Sequence, residues 1–432
     1  MLQELIRTRQ SETLWKQRLE STGTKLLSAL VQHSFETVPF YRELISRKGV
    51  ADRFTLPLVS RSTIGGDAKA FQSTFFSESE VRWRTTSGST GEPLRICFDP
   101  ASLYGDVFDH YYDFLRFIPS LTRNPAPGST AMVIVNDNPV RIPTTIVNPV
   151  LNMRRTHTFV LGINDANDET LVKLLRQMEI PVLSGRPRAL KRLADLDLSV
   201  APNSSVKIRP TTILASGDNL HSDVRRYLEL HYGCLVQNLY ASQEGGIIGI
   251  ECEHQSGLHL LCHRVKLEVI MENGELQSEG SGEFVVTNYR NWAMPFIRYR
   301  TGDYGTVKNI TCRCGYKGFS IVEISGRDSV YFFFGNQRIN PSVFNDIFER
   351  LPVRQFQVVQ DIDESITVYW LVNGDQEIQR VTEYNFLERF RQIVGSKYPT
   401  HVKFVSSVEE SISSKKIQRY VSKIKADIIA NQ

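Results

Sequence analysis

Short apolar runs alternate with amphipathic segments between about residues 130 and 250, and this alternation constrains the fold more than any other feature. The apolar runs are Met132–Val135, Thr158–Leu161, Pro181–Leu183, Thr212–Ala215 and Leu235–Leu239. The segments with helical spacing are Glu169–Met178, Ala189–Leu196 and Ser222–Tyr232. Such alternation predicts α/β units around a partly parallel sheet. Ligands of these sheets bind where the loops beyond the strand ends converge, so we expect a site there.

The flanking segments have different patterns. Residues 1–75 look helical and irregular, whereas residues 265–325 are strand-rich and suggest an antiparallel subdomain. After Arg327 the sequence predicts helices at Ser342–Leu351 and Glu377–Val394, and strands at Gln355–Gln360, Ile366–Val372 and His401–Val405. We therefore predict an α/β protein with a large N-terminal domain of mixed sheets flanked by helices, residues 1–327. A small α+β C-terminal domain follows, residues 328–432.

Charge and composition exclude several classes of protein. The net charge of +4 over 432 residues is too small to indicate a nucleic acid or membrane partner. No apolar run approaches the roughly 20 residues that span a bilayer, and no targeting segment is visible. Six unevenly placed cysteines argue against a disulfide framework. The expectation is a soluble cytoplasmic protein.

A Ser/Thr/Gly loop, Thr85–Pro93, is the first candidate for chemistry. Gly88 and Gly91 let the backbone curl, because residues without Cβ tolerate positive φ. The nearby hydroxyls and amides could then surround a phosphate; the hydroxyls belong to Thr86, Ser87, Ser89 and Thr90. The loop is not a Walker sequence, since Glu92 stands where that pattern needs lysine. Alone, such a run is also typical of a solvated turn.

Four further motifs follow in order: Tyr240–Gly246, Met294–Asp303, Ser325–Asp328 with Gly335–Pro341, and Ser414–Arg419. With this ordered set, the chain resembles the adenylate-forming superfamily of acyl-CoA synthetases, luciferases and peptide-synthetase adenylation domains. Within it, the phenylacetate-CoA ligase and CapK-like branch is the most similar. The resemblance covers essentially the whole chain, and Met-Pro-Phe-Ile-Arg-Tyr-Arg-Thr-Gly-Asp is its most specific element.

The resemblance implies an ATP site with Mg²⁺. The Ser87–Gly91 loop would wrap the β/γ-phosphates, and Tyr240 would lie against the adenine. Glu244 would hold Mg²⁺ through a carboxylate oxygen. Asp303 would accept hydrogen bonds from the ribose hydroxyls, with Arg327 near the ribose and phosphates. The other residues implied around the nucleotide are Thr86, Ser216, Gly217, Asp218, Asn238, Ala241, Ser242 and Gln243.

The implied chemistry is attack of a carboxylic acid on the α-phosphorus of ATP, which expels pyrophosphate and leaves an acyl-adenylate. Lys416 would bridge the acid and the α-phosphate, and a thiol, most simply CoA, would then displace AMP. A carrier-protein thiol or an amine is an alternative acceptor, and a non-catalytic nucleotide-binding scaffold is a further alternative. The resemblance also implies that the small domain swings about Asp328, withdrawing Lys416 and presenting Gly335–Asn340 to the thiol.

The chain departs from the family pattern at three positions. Gln243 replaces a threonine or serine, Glu92 replaces a common lysine, and Asp218 replaces a glutamate. These differences bear on the phosphate contacts and the pocket shape rather than on the overall reaction. The acid itself is not specified by the sequence, although the segment Asn136–Asn138 could contribute polar groups to its pocket.

A second constellation contains Cys252, His259, Cys312 and Cys314. Three thiolates and one imidazole suit a closed structural zinc site, and corresponding positions recur in the resembling branch. The spacing leaves His254, Cys262 and His263 as competing ligands, with His259 preferred as the fourth. Cys97 and Cys234 are interpreted as buried small apolar residues.

Overall fold

The structure is a computed structural model of the chain. It describes residues 12–48, 56–86, 94–99, 102, 113–114, 116–118, 130–136, 144–146, 157–163, 168–200, 206–327, 331–335, 337–339, 341–344, 347–348, 351, 353–372, 376–405 and 420–424. These residues separate into two compact units. The first contains the described residues up to Ile324 except Gly302–Tyr304; the second contains Gly302–Tyr304 and the described residues from Ser325 onward.

The first unit begins with helices and a hairpin. The helices are α1 (Glu12–Thr37), α2 (Pro39–Lys48) and α3 (Arg61–Gly66), followed by the 3₁₀ turn Ala68–Phe71 and the strands β1 (Arg82–Thr85) and β2 (Arg95–Phe98). Pro39 ends α1 because a proline ring cannot extend the preceding helix, and it begins α2, where no amide partner is needed. Leu30, Tyr41 and Phe71 form a core with Met294 and Phe296 of the downstream motif.

A half-parallel sheet forms the centre of this unit, as the alternation predicts. Its elements are β3 (Thr130–Asn136), β4 (Thr144–Ile146), β5 (His157–Gly162), α4 (Asp168–Gln177), β6 (Ile180–Gly185), α5 (Pro187–Val200), β7 (Pro210–Ser216), α6 (Ser222–Tyr232), β8 (Leu235–Ser242), β9 (Gly246–Glu251) and β10 (Leu258–Leu260). Strands β5, β3, β6, β7 and β8 are parallel neighbours in that order. Apolar residues of α4, α5 and α6 pack against them in one core.

The strand-rich segment contains antiparallel strands, as predicted, and these are continuous with the central sheet. Its strands are β11 (Val265–Ile270), β12 (Leu276–Gln277), β13 (Gly280–Asn288), β14 (Tyr299–Thr311) and β15 (Lys317–Arg327). They extend the same 13-stranded sheet, because β15 pairs with β10 and β10 pairs with β9. The antiparallel half and the parallel half therefore meet at β8 and β9.

The second unit has its own sheet and core. Its strands are β16 (Phe332–Phe334), β17 (Gln337–Ile339), β18 (Val353–Gln360), β19 (Ile366–Val372), β20 (Thr400–Phe404) and β21 (Tyr420–Ser422), and its long helix is α7 (Gln376–Val394). The sheet order β20-β19-β18-β21 is packed against Phe386 and Phe390 of α7. The helix expected at Ser342–Leu351 is shorter: a 3₁₀ turn spans Pro341–Phe344, and the only other helical residues described there are 347–348.

The α/β class is confirmed by these two units. Movement of the small unit about Arg327-Asp328, and the division into domains 1–327 and 328–432, stay predictions. Among the described ranges, no helix combines the length and apolar character needed to cross a membrane.

A buried ionic network joins the three helices that cover the parallel sheet. Asp197 of α5 accepts a hydrogen bond from Arg176 Nε of α4 at 2.7 Å and lies 3.1 Å from His231 Nε2 of α6. Burial raises the pKa of Asp197, but hydrogen bonds from His231 and Arg176 outweigh it and hold that pKa below its usual value. The carboxylate thus fixes the spacing of all three helices.

We predict that Asp197→Ala destabilises the protein by about 3–5 kcal/mol, because it leaves the buried Arg176 charge without its carboxylate. The measurement is the urea midpoint at neutral pH. Asp195→Ala is the matched control on the same helix. Its ion pair with Lys191 is partly exposed, its hydrogen bond from the Tyr227 hydroxyl is exposed, and exposed ion pairs contribute about 1 kcal/mol or less. Equal losses in the two variants would contradict the structural role of the network.

Candidate functional site

Two predicted segments lie side by side at the ends of parallel strands. In the β7–β8 ladder, Ala215 is opposite Asn238 and Ser216 is opposite Leu239. The chain leaves β7 through Gly217, whose φ of 85° lies in the left-handed region that favours glycine. Asp218 follows, half-buried. The segment Ser216–Asp218 therefore meets Asn238 and Tyr240 at the strand ends, where the fold class places its ligands.

The Tyr240–Gly246 motif forms the connection between β8 and β9. The strand continues through Ser242 rather than ending at Leu239, because β9 pairs with it beyond that point. The Ser242 hydroxyl accepts a hydrogen bond from the Gly245 amide at 2.8 Å, and Gly246 has a φ of 67°. Ala241 and Ser242 thus lie on a strand, and Gln243 and Glu244 occupy a tight turn.

Two side chains of this motif have opposite environments. Gln243 is exposed, whereas Tyr240 is half-buried with its ring 6.0 Å from that of Phe284 in an edge-on arrangement. The Tyr240 ring therefore packs against the hydrophobic core of the antiparallel half of the sheet. Its expected contact with adenine stays a prediction.

Glu244 is the most constrained polar group of the turn. It is only 8% exposed, and its Oε1 accepts a hydrogen bond from the Tyr299 hydroxyl at 3.0 Å. The Asn288 side-chain amide donates to the Glu244 carbonyl at 3.0 Å, which fixes the backbone of the turn. Arg61 Nη1 lies 3.9 Å from the same Oε1. A buried carboxylate with such neighbours is a candidate for holding a cation.

Arg61 also connects Glu244 to the Ser/Thr/Gly loop. Its Nη2 donates to Thr86 Oγ1 at 2.9 Å. Thr86 is fixed in turn by Leu94, because the Leu94 amide donates to Thr86 Oγ1 and the Thr86 amide donates to the Leu94 carbonyl, each at 2.9 Å. These bonds hold together Thr86 and Leu94, the two ends of the loop that joins β1 to β2. We call this pair of residues the neck of the loop. The loop residues Ser87, Gly88, Ser89, Thr90 and Gly91 lie outside the described residues.

Sequence reasoning missed both Arg61 and Tyr299. The available signal for Arg61 was indirect: the segment Thr85–Pro93 contains no basic residue, and Glu92 stands where lysine is common. A phosphate bound by this loop then needs a cation from another part of the chain. The sequence does not show that Arg61 is that cation, because the position of Arg61 depends on a long-range contact, the parallel bridge between nearby Val59 and Tyr299.

The remaining predicted residues belong to the second unit or lie outside the described part. Asp303 follows Gly302, whose φ is 73°, and Arg327 is the last residue of β15. Their contacts with a nucleotide stay predictions. Lys416 and Asp328 lie outside the described residues, as do Asp137 and Asn138, whereas Asn136 ends β3.

The four predicted zinc ligands converge. The Sγ atoms of Cys252, Cys312 and Cys314 and one ring nitrogen of His259 all lie within 4.8 Å of one another. Cys252 Sγ is 3.6 Å from Cys312 Sγ, and Cys314 Sγ is 3.3 Å from His259 Nε2. Two thiolates on a tetrahedral zinc, each about 2.3 Å from the metal, would be about 3.8 Å apart, so these residues fit the ion.

The surroundings of His259 also suit a metal ligand. Burial, with a smaller effect of Arg116, lowers the pKa of His259 to about 4, so the imidazole stays neutral. Its Nδ1 lies 3.0 Å from Ser320 Oγ, which leaves Nε2 directed at Cys314. None of the competing residues belongs to the cluster. Cys262 is exposed, and His263 lies 3.3 Å from Asp113. His254 donates its backbone amide to Cys252 Sγ, but its ring Nε2 lies 3.9 Å from Glu253.

Cys97 and Cys234 take the apolar role expected of them. Both belong to hydrophobic cores, with Cys97 fully buried and Cys234 half-buried. Burial raises the pKa of each thiol to about 12, so both are protonated at neutral pH.

Comparison with known proteins finds relatives of low sequence identity. No family model matches the chain. The chain is 22% identical over 363 residues to phenylacetate-coenzyme A ligase of Thermus thermophilus. This match covers 81% of this chain and 79% of that protein. It is also 24% identical over 256 residues to the protein CapK of Staphylococcus aureus; the match covers 57% of this chain and about half, 54%, of CapK.

A solved structure agrees in fold. The chain superposes on 2-hydroxyisobutyryl-CoA ligase in the postadenylation state with a TM-score of 0.73, covering 96% of this chain and 91% of that one at 15% identity. The chain thus has the fold of that ligase, and its sequence is similar to those of phenylacetate-coenzyme A ligase and CapK. The Glu244 turn and the neck of the Thr86 loop belong to the motifs on which the sequence resemblance rests, and Arg61 lies close to both.

Proposed function

We propose that this chain is an AMP-forming acid–thiol ligase that activates a carboxylic acid with ATP and transfers the acyl group to CoA. One observation carries the proposal: the Arg61 guanidinium contacts both the neck of the predicted phosphate loop and the predicted magnesium ligand Glu244. The two motifs are far apart in sequence, yet this single side chain reaches both. That is the arrangement a triphosphate with its metal requires.

The residues of the first unit supply binding and charge. The loop after Thr86 takes the β/γ-phosphates, and Tyr240 lies against the adenine. Arg61 adds the cation that the loop lacks and offsets negative charge as pyrophosphate leaves. Mg²⁺, when bound, would neutralise phosphate oxygens, with Glu244 as its carboxylate ligand.

The residues of the second unit complete the reaction. Asp303 accepts hydrogen bonds from the ribose, and Arg327 lies near the ribose and phosphates. Lys416 holds the carboxylate of the acid against the α-phosphorus, so that its oxygen attacks and pyrophosphate departs. A thiolate then attacks the acyl carbon of the adenylate and AMP leaves, giving a thioester.

CoA is the proposed acceptor because the two ligases matched by this chain are named as CoA ligases. A carrier-protein thiol or an amine would use the same adenylating half of the reaction. A non-catalytic scaffold is less favoured, since Glu244, Asp303 and Lys416 are all present. A cytoplasmic location is part of the proposal.

We further propose that Cys252, His259, Cys312 and Cys314 hold a structural zinc ion. Four protein ligands would fill a tetrahedral zinc ion, as in a structural rather than a catalytic site. They connect the ends of β9 and β14 with β10 in the antiparallel half of the sheet. The ion would thus stabilise the sheet that carries the Glu244 turn.

The function is tested by pyrophosphate–ATP exchange against a panel of aliphatic and aromatic acids. We expect exchange that depends on one class of acid, and, with CoA added, a product whose mass is that of the thioester. Absence of exchange with every acid, despite measurable ATP binding, would support the scaffold instead. A thioester formed only on a carrier protein would correct the acceptor.

We predict that Lys416→Ala lowers the rate of adenylation at least about 100-fold, since one positioned charge contributes on that scale. Thioester formation from supplied acyl-adenylate should change little. Lys415→Ala is the adjacent control and should retain both half-reactions. An equal loss in both half-reactions of Lys416→Ala would reject the proposed role.

We predict that the purified protein contains one zinc ion per chain. Cys312→Ser should lose it and melt at a lower temperature, by roughly 2–4 °C for each kcal/mol lost. Cys262→Ser, an exposed cysteine outside the cluster, is the control and should keep the metal. Metal analysis of protein prepared without chelator is the measurement. A zinc-free protein with unchanged melting temperature would end the zinc proposal.

A further inference from the structure

The two carboxylate oxygens of Glu244 have different surroundings. Oε1 accepts the hydrogen bond from Tyr299 and has Arg61 as its nearest cation, 3.9 Å away. In the described part of the chain, Oε2 receives neither a hydrogen bond nor an ion pair. Although Glu244 is only 8% exposed, Oε2 is not one of the described buried atoms that lack a hydrogen bond, so it keeps access to solvent and can be reached by a ligand.

Tyr299 is held rigidly enough to fix the carboxylate. The backbone on both sides is bonded to Val59: the Val59 amide donates to the Arg298 carbonyl at 3.0 Å, and the Arg300 amide donates to the Val59 carbonyl at 2.8 Å. The ring is 3% exposed and lies edge-on to Phe296 at 5.3 Å. Its hydroxyl therefore has a defined position.

The chain bends sharply just before Tyr299. Arg298 has a φ of 53°, an uncommon conformation for a residue with a Cβ. Two hydrogen bonds hold it there: its amide donates to Thr287 Oγ1 at 3.0 Å, and its Nη1 donates to the Leu56 carbonyl at 2.7 Å. Such strained residues cluster at functional sites. Here the bend directs the Tyr299 hydroxyl toward the Glu244 turn.

We propose that Tyr299 is a positioning residue for a divalent cation bound by Glu244: its hydroxyl fixes Oε1, and Oε2 is thereby presented to the cation. This inference rests on the proposed function. Without the hydroxyl, the carboxylate rotates and Oε1 turns toward Arg61, so neither oxygen keeps one orientation. Loss of such a supporting hydrogen bond weakens metal binding roughly 10–100-fold.

The test measures binding of Mn²⁺ to the full-length protein in the presence of ATP. Electron paramagnetic resonance of free Mn²⁺ follows it, and the same Mn²⁺–ATP mixture without protein gives the reference signal. Tyr299→Phe keeps the ring and removes only the hydroxyl. We expect the dissociation constant of this variant for Mn²⁺ to be at least about tenfold higher than that of wild type. Tyr41→Phe is the matched control. That buried hydroxyl also bonds to the Met294–Asp303 segment, through the Pro295 carbonyl and the Ile297 amide, but it does not contact Glu244.

A double-mutant cycle separates positioning from general damage. In a Glu244→Gln background, Tyr299→Phe should change the Mn²⁺ dissociation constant less than twofold, because the group that it positions is gone. Equal, additive losses in the two backgrounds overturn the proposal. So does a Tyr299→Phe protein that binds Mn²⁺ within twofold of wild type.

The cycle also distinguishes failure of this inference from failure of the proposed function. If Glu244→Gln weakens Mn²⁺ binding and Tyr299→Phe does not, only the positioning role is wrong. If Glu244→Gln binds Mn²⁺ with ATP as well as wild type does, Glu244 is not a cation ligand and both proposals fail. Measurements are made below the melting transition of every variant, so that a loss of stability cannot imitate a loss of affinity.

Discussion

The hydrogen bond from the Tyr299 hydroxyl to the Glu244 carboxylate is the contact on which the site depends. It exists only if three separate parts of the chain are correctly placed. The β8–β9 turn must bury Glu244, the bend at Arg298 must direct Tyr299 inward, and the segment around Val59 must hold the backbone beside it. Because Arg61 lies two residues after Val59, the same docking brings a cation to the neck of the Ser/Thr/Gly loop.

A second buried glutamate shows what a purely structural carboxylate looks like here. Both oxygens of Glu251 accept from Arg225 Nη2 at 2.9 Å, and Oε2 also accepts from the Asn238 amide at 2.8 Å. Burial raises the pKa of Glu251, and Arg225 and that amide oppose the shift. Both carboxylate oxygens of Glu251 therefore have protein donors. Glu244, on the same hairpin, has one oxygen held by Tyr299, and no described hydrogen bond reaches the other; this difference supports its proposed role.

The sequence predicted those features that depend on local pattern. The spacing of apolar residues and the lengths of the apolar runs located the parallel strands and their helices within a few residues. The metal-binding chemistry of thiols and imidazoles identified Cys252, His259, Cys312 and Cys314. The antiparallel strands were also predicted, but their continuity with the central sheet was not, because pairing of β10 with β15 is invisible to local periodicity. Arg61 and Tyr299 were missed for the same reason: their roles arise from contacts between distant segments. The roles of Lys416 and the Ser87–Gly91 loop stay predictions, because both lie outside the described residues.

The central claim is that Glu244 and the loop after Thr86 bind one metal–nucleotide complex. A crystal structure of the protein with Mg²⁺ and a non-hydrolysable ATP analogue tests it most directly. The account predicts the metal against Oε2 of Glu244, the Tyr299 hydroxyl still on Oε1, and the terminal phosphates within the Ser87–Gly91 loop. Metal and phosphates bound in a different cavity, with Glu244 left untouched, would contradict it.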